Sequence, residues 1–159
     1  MYRKDCNYLG CDFCREFLEI SRTKYKQNSF LQINVKSIPI RNNVFDSVIS
    51  IAVIHHIYFE VDRINAIREL VRVTKPGGTI FISVWGVHGK YKKGNNFIKW
   101  TLQDKYSEQK DKNVYERFYY LYDENELYNL VVREFKNIEV IDYFSNYNNR
   151  FILIKKINS

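Results

Sequence analysis

VFDSVISIAVIHHI, residues Val44–Ile57, is the stretch that decides the fold. It is almost continuously apolar from Phe45 to Ile54, a pattern typical of a strand covered on both faces, as in parallel sheets. Two adjacent histidines, His55 and His56, follow the apolar run. Ligands of open α/β sheets bind outside the carboxyl ends of the strands. We therefore expect the histidines to lie where a buried strand opens onto a ligand site.

Apolar periodicity predicts alternating strands and helices on either side of this stretch. Pro76, Gly77 and Gly78 are expected to end a helix, because a residue before proline avoids helical geometry and glycine permits left-handed turns. This order predicts an α/β fold, with a doubly wound sheet, helices on both faces and a C-terminal antiparallel hairpin. The predicted strands are Cys6–Asp12, Ser29–Val35, Phe45–Ile54 and Thr79–Trp85, the hairpin spans Asn137–Ile157, and two helices span Phe13–Lys26 and Asp62–Thr74.

Two of the predicted helices carry recognisable local signals. The first helix has Phe13, Phe17 and Ile20 at helical spacing. Asp123 and Glu126 have the spacing of a capping box, which predicts that a third helix begins there. The side chains of that helix expected to face inward are Leu127, Leu130 and Val131.

Length and composition predict one globular domain, 1–159, with 45% hydrophobic residues and a lysine-rich insertion at 86–116. No apolar run reaches the roughly 18 residues of a membrane span, and no signal peptide is recognisable. Three cysteines do not suggest a disulfide framework, so we expect a cytoplasmic protein, with the nucleus as an alternative. The net charge of +7 favours polyanionic partners, although an AT-rich genome alone would produce the same lysine surplus.

Several segments together resemble one enzyme family. ISIAVIHH (49–56), ELVRVTKPGGTIFISVW (69–85) and ERFYYLYDENEL (116–127) are similar to Rossmann-like S-adenosylmethionine-dependent methyltransferases. More narrowly, they resemble the eukaryotic tRNA methyltransferases that esterify 5-carboxymethyluridine at the wobble position, a family that includes the module fused to an AlkB-type hydroxylase. The resemblance spans Leu9–Ile157. It implies S-adenosylmethionine as cofactor, tRNA as substrate, and a small zinc-binding activator subunit docked along a sheet edge.

The resemblance also implies a cofactor site at the carboxyl ends of the predicted strands. Asp12 would accept hydrogen bonds from both ribose hydroxyls, or it caps the helix that follows. Asn34 stands where the family usually has an aspartate that binds the adenine amino group, or it belongs to an ordinary turn. Val35 would donate its backbone N–H to the adenine ring, and the carbonyls of Ser50–Ala52 would accept from the methionine ammonium. The implied cofactor-binding residues are Asp12, Phe13, Asn34, Val35, Ser50, Ile51 and Ala52.

Methyl transfer to a carboxylate needs in-line positioning rather than a strong base, because the carboxylate is ionised at neutral pH. We therefore expect His56 to shape the substrate mouth and Arg117 to clamp the carboxymethyl group through two hydrogen bonds. His55 is expected to contact substrate, with inward packing as a core histidine as the alternative. Tyr119 and Tyr120 would stack on a flipped-out base, or they are buried in a strand. The predicted substrate-binding residues are His55, Trp85, Lys92, Lys93, Tyr119 and Tyr120.

The lysines of the insertion alternate with aromatic residues, as on a single-stranded RNA surface, although a solvated loop would have the same composition. Cys11 and Cys14 form a C-x-x-C pair, but no second pair follows. We expect no metal site.

The chain departs from the family pattern at its start. These enzymes place a strand and a loop of the D-x-G-C-G-x-G kind before the acid-bearing strand, whereas only eleven residues precede Asp12 and Gly10 is the sole glycine there. Losing that loop would weaken cofactor binding by on the order of a thousandfold. The chain could lack its N-terminus, could be a decayed relative, or could receive the strand from a partner. The expected function is methylation of tRNA 5-carboxymethyluridine; the alternatives are an inactive RNA-binding or scaffold protein and a small-molecule methyltransferase.

Overall fold

The computed structural model describes residues 6–101 and 114–157, except the side chains of 100 and 101. The strands are β1 (Leu9–Asp12), β2 (Ser29–Gln32), β3 (Phe45–Ile51), β4 (Thr74–Trp85), β5 (Gly94–Thr101), β6 (Val114–Leu121), β7 (Ile138–Asn146) and β8 (Asn149–Lys156). The helices are α1 (Arg15–Lys24), α2 (Glu60–Val73) and α3 (Glu126–Glu134). A single 3-10 turn, Ile54–His56, lies between β3 and α2 and is called the histidine turn.

The described strands form three sheets. A mixed sheet has the order β3-β4-β8-β7, in which β3 and β4 are parallel and β8 is antiparallel to both of its neighbours. β7 and β8 are the predicted C-terminal hairpin, and β5 and β6 form a second antiparallel pair. β1 and β2 form a separate parallel pair. The α/β fold with a mixed sheet and a terminal hairpin is confirmed. Among the described strands, however, β1 and β3 belong to different sheets, because the β1–β2 pair is not hydrogen-bonded to the four-stranded sheet.

The main core lies between the four-stranded sheet and helices α2 and α3. Alternate residues of β4 and β8 point into it, because successive side chains of a strand face opposite sides. The three inward residues predicted for α3 are buried there, as expected. Glu126 accepts a hydrogen bond from the Asp123 N–H at 2.9 Å, which is one half of the predicted capping box. The core side chains of the two strands are Ile80, Ile82, Val84, Ile152 and Ile154.

Two apolar surfaces that the sequence assigned to the interior are exposed. Ile49 and Ile51 of β3 are 67% and 62% exposed, so the prediction of a strand covered on both faces is wrong for this part of the chain. The reason is that Ile49 and Ile51 point to the face of the sheet opposite the one on which Val48 and Ser50 meet the core, and their side of it is open to solvent. β3 is also an edge strand, hydrogen-bonded among the described strands only to β4. On α1, Leu18 is buried, whereas Phe17 and Ile20 are exposed, as is Phe13, which precedes the helix.

Part of the predicted insertion has regular structure. β5 lies wholly inside 86–116, and β6 begins there, so the two strands form a hairpin rather than an irregular loop. The register runs from Gly94 opposite Leu121 to Thr101 opposite Val114. Residues 102–113 of the insertion lie outside the described residues. Polar and charged residues in both strands hide the hairpin from a reading based on apolar periodicity.

The Pro-Gly-Gly segment forms a tight detour within β4. Phe45 pairs with Thr74, but Ser47 already pairs with Thr79, so the β4 chain makes a loop here. Gly77 has φ of +80°, the left-handed geometry that the sequence predicted for a glycine in this turn. At Gly78, a Cβ atom would lie 2.7 Å from the backbone oxygen of Asp46. Glycine is therefore required at position 78, because the backbone there lies too close to the backbone of Asp46 for a side chain to fit.

Replacing Gly78 by alanine should lower the free energy of unfolding by about 1–3 kcal/mol, because the new methyl group meets backbone that cannot move cheaply. Urea unfolding followed by circular dichroism measures this. Gly77→Asn is the matched control, since its side chain enters open space and asparagine tolerates left-handed angles. Equal destabilisation by the two variants would contradict the close-approach explanation.

Candidate active site

The chain leaves β3 through a strained residue. Ala52 has φ of +57°, an uncommon geometry for a residue with a side chain, and its N–H donates to the Ser83 oxygen at 3.2 Å. The strand was predicted to continue to Ile54 but ends at Ile51, because the backbone reverses here. Nothing in the residue type signals this turn, and sequence reasoning missed it. The reversal brings the histidine turn to the carboxyl ends of β3 and β4.

His55 is fully buried and neutral. The backbone N–H of Trp85 donates to His55 Nδ1 at 3.1 Å, so the ring proton resides on Nε2. Burial, with a smaller effect of the neighbouring His56, lowers the pKa of His55 to about 3. Its Nε2 has no hydrogen-bond partner in the described structure. This placement matches the alternative that His55 packs inward as a core histidine. Because the ring is buried and Nδ1 already accepts a hydrogen bond, His55 cannot contact substrate as a base.

Three more rings complete what we call the aromatic cluster, which consists of His55, His56, Trp85 and Tyr119. Trp85 and Tyr119 stack with ring centroids 4.5 Å apart and an interplanar angle of 9°. His55 lies 5.5 Å from Trp85 and 5.6 Å from Tyr119. Tyr119 is 5% exposed, so its ring has no open face for a flipped-out base, and that expectation is corrected in favour of the buried alternative.

His56 lies at the exposed edge of the aromatic cluster. Its Nδ1 is 3.0 Å from the Phe118 carbonyl oxygen, which can only accept, so Nδ1 is the donor. Burial lowers the pKa of His56, the bond to Phe118 opposes this, and the positive charge of Arg117 lowers it further. The structure thus brings the two predicted catalytic residues, His56 and Arg117, into electrostatic contact.

Tyr120 is held by two neighbours and does not offer an open ring either. The Arg63 guanidinium lies 3.6 Å from its ring centroid, and its hydroxyl donates to Glu126. Burial, reinforced by Glu126, raises the pKa of Tyr120 to about 12. Arg63 is itself buried and also donates to the carbonyls of Ile57 and Tyr58. The sequence analysis missed Arg63. Its spacing from Ile67 and Leu70 places it on the buried face of α2, and a cation on that face could have indicated a role in the site.

The other predicted residues are divided between two places. Asp12 Oδ1 accepts the Cys14 N–H at 2.8 Å, as the capping alternative expects, and Asn34 Oδ1 accepts the Lys36 N–H at 3.0 Å within a turn. Both side chains are exposed at the carboxyl ends of adjacent strands. Ser50 is buried with an unpaired hydroxyl. Exposed Phe13 and half-buried Val35 follow Asp12 and Asn34 in the chain. Ile51 and Ala52 lie at the end of β3, just before the histidine turn. Lys92 is exposed, and Lys93 Nζ lies 3.6 Å from Glu126 Oε2.

Within the described ranges, no three His, Cys, Asp or Glu side chains converge in a way that could hold a metal ion. Cys11 and Cys14 form no disulfide, and the Cys14 thiol donates to Glu16 at 3.1 Å. No described helix is both long enough and apolar enough to cross a membrane.

Comparison with known proteins gives a consistent picture. Residues 1–82 match the family described as "Methyltransferase domain". "Probable tRNA methyltransferase 9B" of Bos taurus is 37% identical over 96 residues, which cover 58% of this chain and 21% of that protein. The "tRNA (carboxymethyluridine(34)-5-O)-methyltransferase" of Arabidopsis thaliana is 38% identical over 105 residues, 65% of this chain and 25% of that protein. The chain thus spans about a fifth to a quarter of the length of these relatives.

Solved structures share the fold at low sequence identity. A SAM-dependent methyltransferase from Methanosarcina mazei superimposes with a TM-score of 0.76 and 16% identity, over 95% of this chain and 82% of that one. A methyltransferase solved in complex with the Haloferax volcanii Trm112 methyltransferase activator gives a TM-score of 0.66 and 13% identity, over 96% and 72%. These likenesses confirm the predicted Rossmann-like fold.

His55 should make the protein less stable in acid. Its pKa of about 3 in the folded chain lies below the usual 6.5 of the unfolded chain, so the unfolded state binds more protons below pH 6.5. Stability is therefore lost as pH falls, by about 2 kcal/mol at pH 5. His55→Phe keeps a ring but removes this dependence. The measurement is urea unfolding at pH 8 and pH 5 for both proteins.

His88→Phe is the control, because it removes a histidine and leaves His55 in place. We expect it to keep the pH dependence of the wild-type protein. The same loss of stability in acid for His55→Phe and the wild-type protein would show that His55 is not the titrating group.

Proposed function

Since the chain belongs to the methyltransferase-domain family and has the fold of S-adenosylmethionine-dependent methyltransferases, we propose that it methylates the carboxylate of 5-carboxymethyluridine at the wobble position of tRNA. The observation that carries this proposal is that Arg117 of β6 is near enough to His56, at the carboxyl ends of β3 and β4, for its positive charge to lower the pKa of that histidine. A guanidinium matches a carboxylate through two parallel hydrogen bonds. The relative from Arabidopsis thaliana that is named for this reaction aligns over 65% of the chain.

The chemistry asks the protein for orientation. S-adenosylmethionine, when bound, would supply an electrophilic methyl group, so that the carboxylate oxygen would gain a C–O bond as the C–S bond is broken and S-adenosylhomocysteine is released. No proton has to be removed, because a carboxyl group is ionised at neutral pH. Arg117 would bind and orient the carboxylate, and His56 would border it as a neutral ring. His55 would keep Trp85 and Tyr119 in place behind the reacting groups.

The described residues fit the adenosine half of the cofactor. Asp12 and Asn34 place a carboxylate and an amide at the carboxyl ends of two adjacent parallel strands, the edge where ligands of this fold bind. Asp12 would hold the ribose hydroxyls, with Oδ1 already satisfied by Cys14 and Oδ2 as the second acceptor. Asn34 would accept from the adenine amino group. Ser50 has a buried, unpaired hydroxyl in β3, next to the carbonyls expected to face the methionine ammonium.

A second candidate function is an inactive RNA-binding protein of the same fold. It is favoured by one observation: β1 and β3 each pair with a single strand among the described residues, so Asp12 and Ser50 lie on separate sheets rather than on neighbouring strands of one sheet. Binding of S-adenosylmethionine by the folded chain separates the two candidates, because the inactive protein would bind RNA alone.

We also propose an activator subunit as partner, docked along a sheet edge. The support is the fold relative from Haloferax volcanii, which was solved with its Trm112 activator. β3 is a seven-residue edge strand with exposed isoleucines, the kind of edge that natural proteins usually cover. The assays of methyl transfer and of cofactor binding are therefore run with the chain alone and with an added activator subunit.

Methyl transfer is tested with labelled S-adenosylmethionine and tRNA that carries 5-carboxymethyluridine, with nucleosides identified by mass spectrometry. We expect the methyl ester on this tRNA and none on tRNA with unmodified uridine. Arg117→Gln should raise KM for tRNA about 10- to 100-fold, because a charge-assisted pair is lost. Arg41→Gln is the matched control, since Arg41 precedes β3 at the opposite end of the sheet. Equal KM values for the two variants would remove Arg117 from the site, and no methyl transfer with or without the added subunit would refute the proposed activity.

Asp12→Asn should raise the Kd for S-adenosylmethionine about tenfold or more, measured by titration calorimetry. Asparagine keeps the oxygen that accepts the Cys14 N–H, so the turn survives while the charge and the second carboxylate oxygen are lost. Asp46→Asn is the control, because Asp46 lies at the start of β3 and pairs with Lys75. An unchanged Kd in Asp12→Asn would show that Asp12 does not bind the cofactor and that its side chain serves only to cap the turn before α1.

A further inference from the structure

Four aromatic rings form a continuous surface strip beside the aromatic cluster. Phe59 contacts Tyr58 with centroids 5.0 Å apart, Tyr58 contacts Phe118 at 4.9 Å, and Phe118 contacts Phe97 at 5.7 Å. We call these four residues the aromatic strip. It runs from the start of α2 across β6 to β5, and so it joins two elements that are distant in sequence.

The strip is open to solvent. Phe59 and Phe97 at its two ends are 62% and 61% exposed, and Tyr58 between them is 49% exposed. The buried core is complete without these three side chains, so stability gives no reason for them. Contiguous exposed apolar surface on a folded protein commonly marks a binding site. The strip is therefore a candidate contact surface.

The position of the strip ties it to the proposed active site. The carbonyl oxygen of Phe118 accepts the hydrogen bond from His56, and the carbonyl of Tyr58 accepts one from Arg63. The first bond joins the strip to the histidine turn, and the second joins it to α2. The strip therefore adjoins His56 through the backbone of Phe118.

The surrounding charge indicates what kind of molecule this is. The described stretches 86–101 and 114–121, which supply half of the strip, contain five cationic residues and one acid, Glu116. Beside the other half, Glu60 and Asp62 are neutralised by ion pairs with Arg133 and Lys36. Such a surface attracts a polyanion, and exposed rings stack on bases whatever their sequence. A protein partner would match the rings but not the charge. The cations are Lys90, Lys92, Lys93, Lys99 and Arg117.

We propose that the aromatic strip binds single-stranded RNA, by stacking on unpaired bases of the same RNA whose modified nucleotide would reach Arg117 on the opposite face of the β5–β6 pair. This inference rests on the proposed function, because it takes the loop of a tRNA as the substrate. The strip supplies affinity without reading sequence, while the active site recognises the modified base. Tyr119 and Tyr120, which the sequence suggested for stacking, are occupied inside the fold, and the strip takes that role on the surface.

The test is binding of a fluorescent anticodon stem-loop RNA and of an unstructured oligonucleotide to the full chain, with no methyl donor present. Phe59→Ala and Phe97→Ala should each weaken binding about 5- to 150-fold. The salt dependence of binding should stay that of the wild-type protein, since no cation is removed. Tyr147→Asn is the matched control: Tyr147 is 94% exposed, lies in the β7–β8 turn with φ of +51°, and asparagine accepts that geometry.

A second pair of variants distinguishes aromatic stacking on bases from non-specific apolar contact. Phe97→Trp should keep the affinity, whereas Phe97→Leu, which keeps apolar bulk without a ring face, should lose it like Phe97→Ala. Thermal unfolding checks that each variant is folded. Wild-type RNA affinity in the alanine variants, or in Phe97→Leu, would overturn the proposal and point to a protein partner. Because binding is measured without chemistry, loss of binding in the variants supports the strip even if the chain transfers no methyl group.

Discussion

The hydrogen bond from the Trp85 N–H to His55 Nδ1 is the interaction on which the site depends. It joins the histidine turn to the end of β4, fixes the tautomer of a fully buried ring, and holds that ring against the stacked pair of Trp85 and Tyr119. Because Tyr119 belongs to β6, this packing adds to the backbone hydrogen bond from the Tyr122 N–H to the Trp85 oxygen, which joins the end of β6 to the end of β4. His56 contacts the same Tyr119 ring, at 4.6 Å between centroids. A charged His55 in this position would lack solvation, which is why burial holds its pKa so low.

The divided sheet is the second constraint on the molecule. Asp12 and Asn34 lie on the β1–β2 pair, whereas the aromatic cluster lies on the four-stranded sheet, so the two halves of the proposed site are carried by separate hydrogen-bonded units. The segment after β2 connects them: Lys36 pairs with Asp62 at 2.8 Å, and the Ile38 N–H donates to Glu69 at 2.7 Å. Relative placement of the halves thus depends on contacts to α2 rather than on a shared strand ladder. The exposed isoleucines on β3, and exposed Phe13 and Phe17 before and within α1, are the apolar consequence of that arrangement.

Sequence patterns predicted what depends on periodicity and on turn chemistry. The order of elements outside the β5–β6 pair, the inward face of α3, the left-handed Gly77 and the terminal hairpin follow from local rules that the chain obeys. The prediction of burial failed where burial depends on tertiary neighbours: apolar Ile49 and Ile51 indicate a strand covered on both faces, but tertiary packing decides whether anything covers the second face. The same holds for the site. Residue type suggested histidines, an arginine and tyrosines near one another, yet the orientation of Tyr119 and the cation over Tyr120 follow from tertiary contacts with Trp85 and Arg63.

The low histidine pKa values fit the proposed chemistry better than an acid–base role would. A methyl donor of the sulfonium type is cationic, and so is Arg117; a protonated histidine between them would add a third positive charge at short range. Burial of His55, and burial together with Arg117 at His56, keep both rings toward the neutral form. Neutral rings can then line the path of an ionised carboxylate while the guanidinium supplies the attraction. A site built this way selects its substrate by charge and position, which is what transfer to an already ionised oxygen requires.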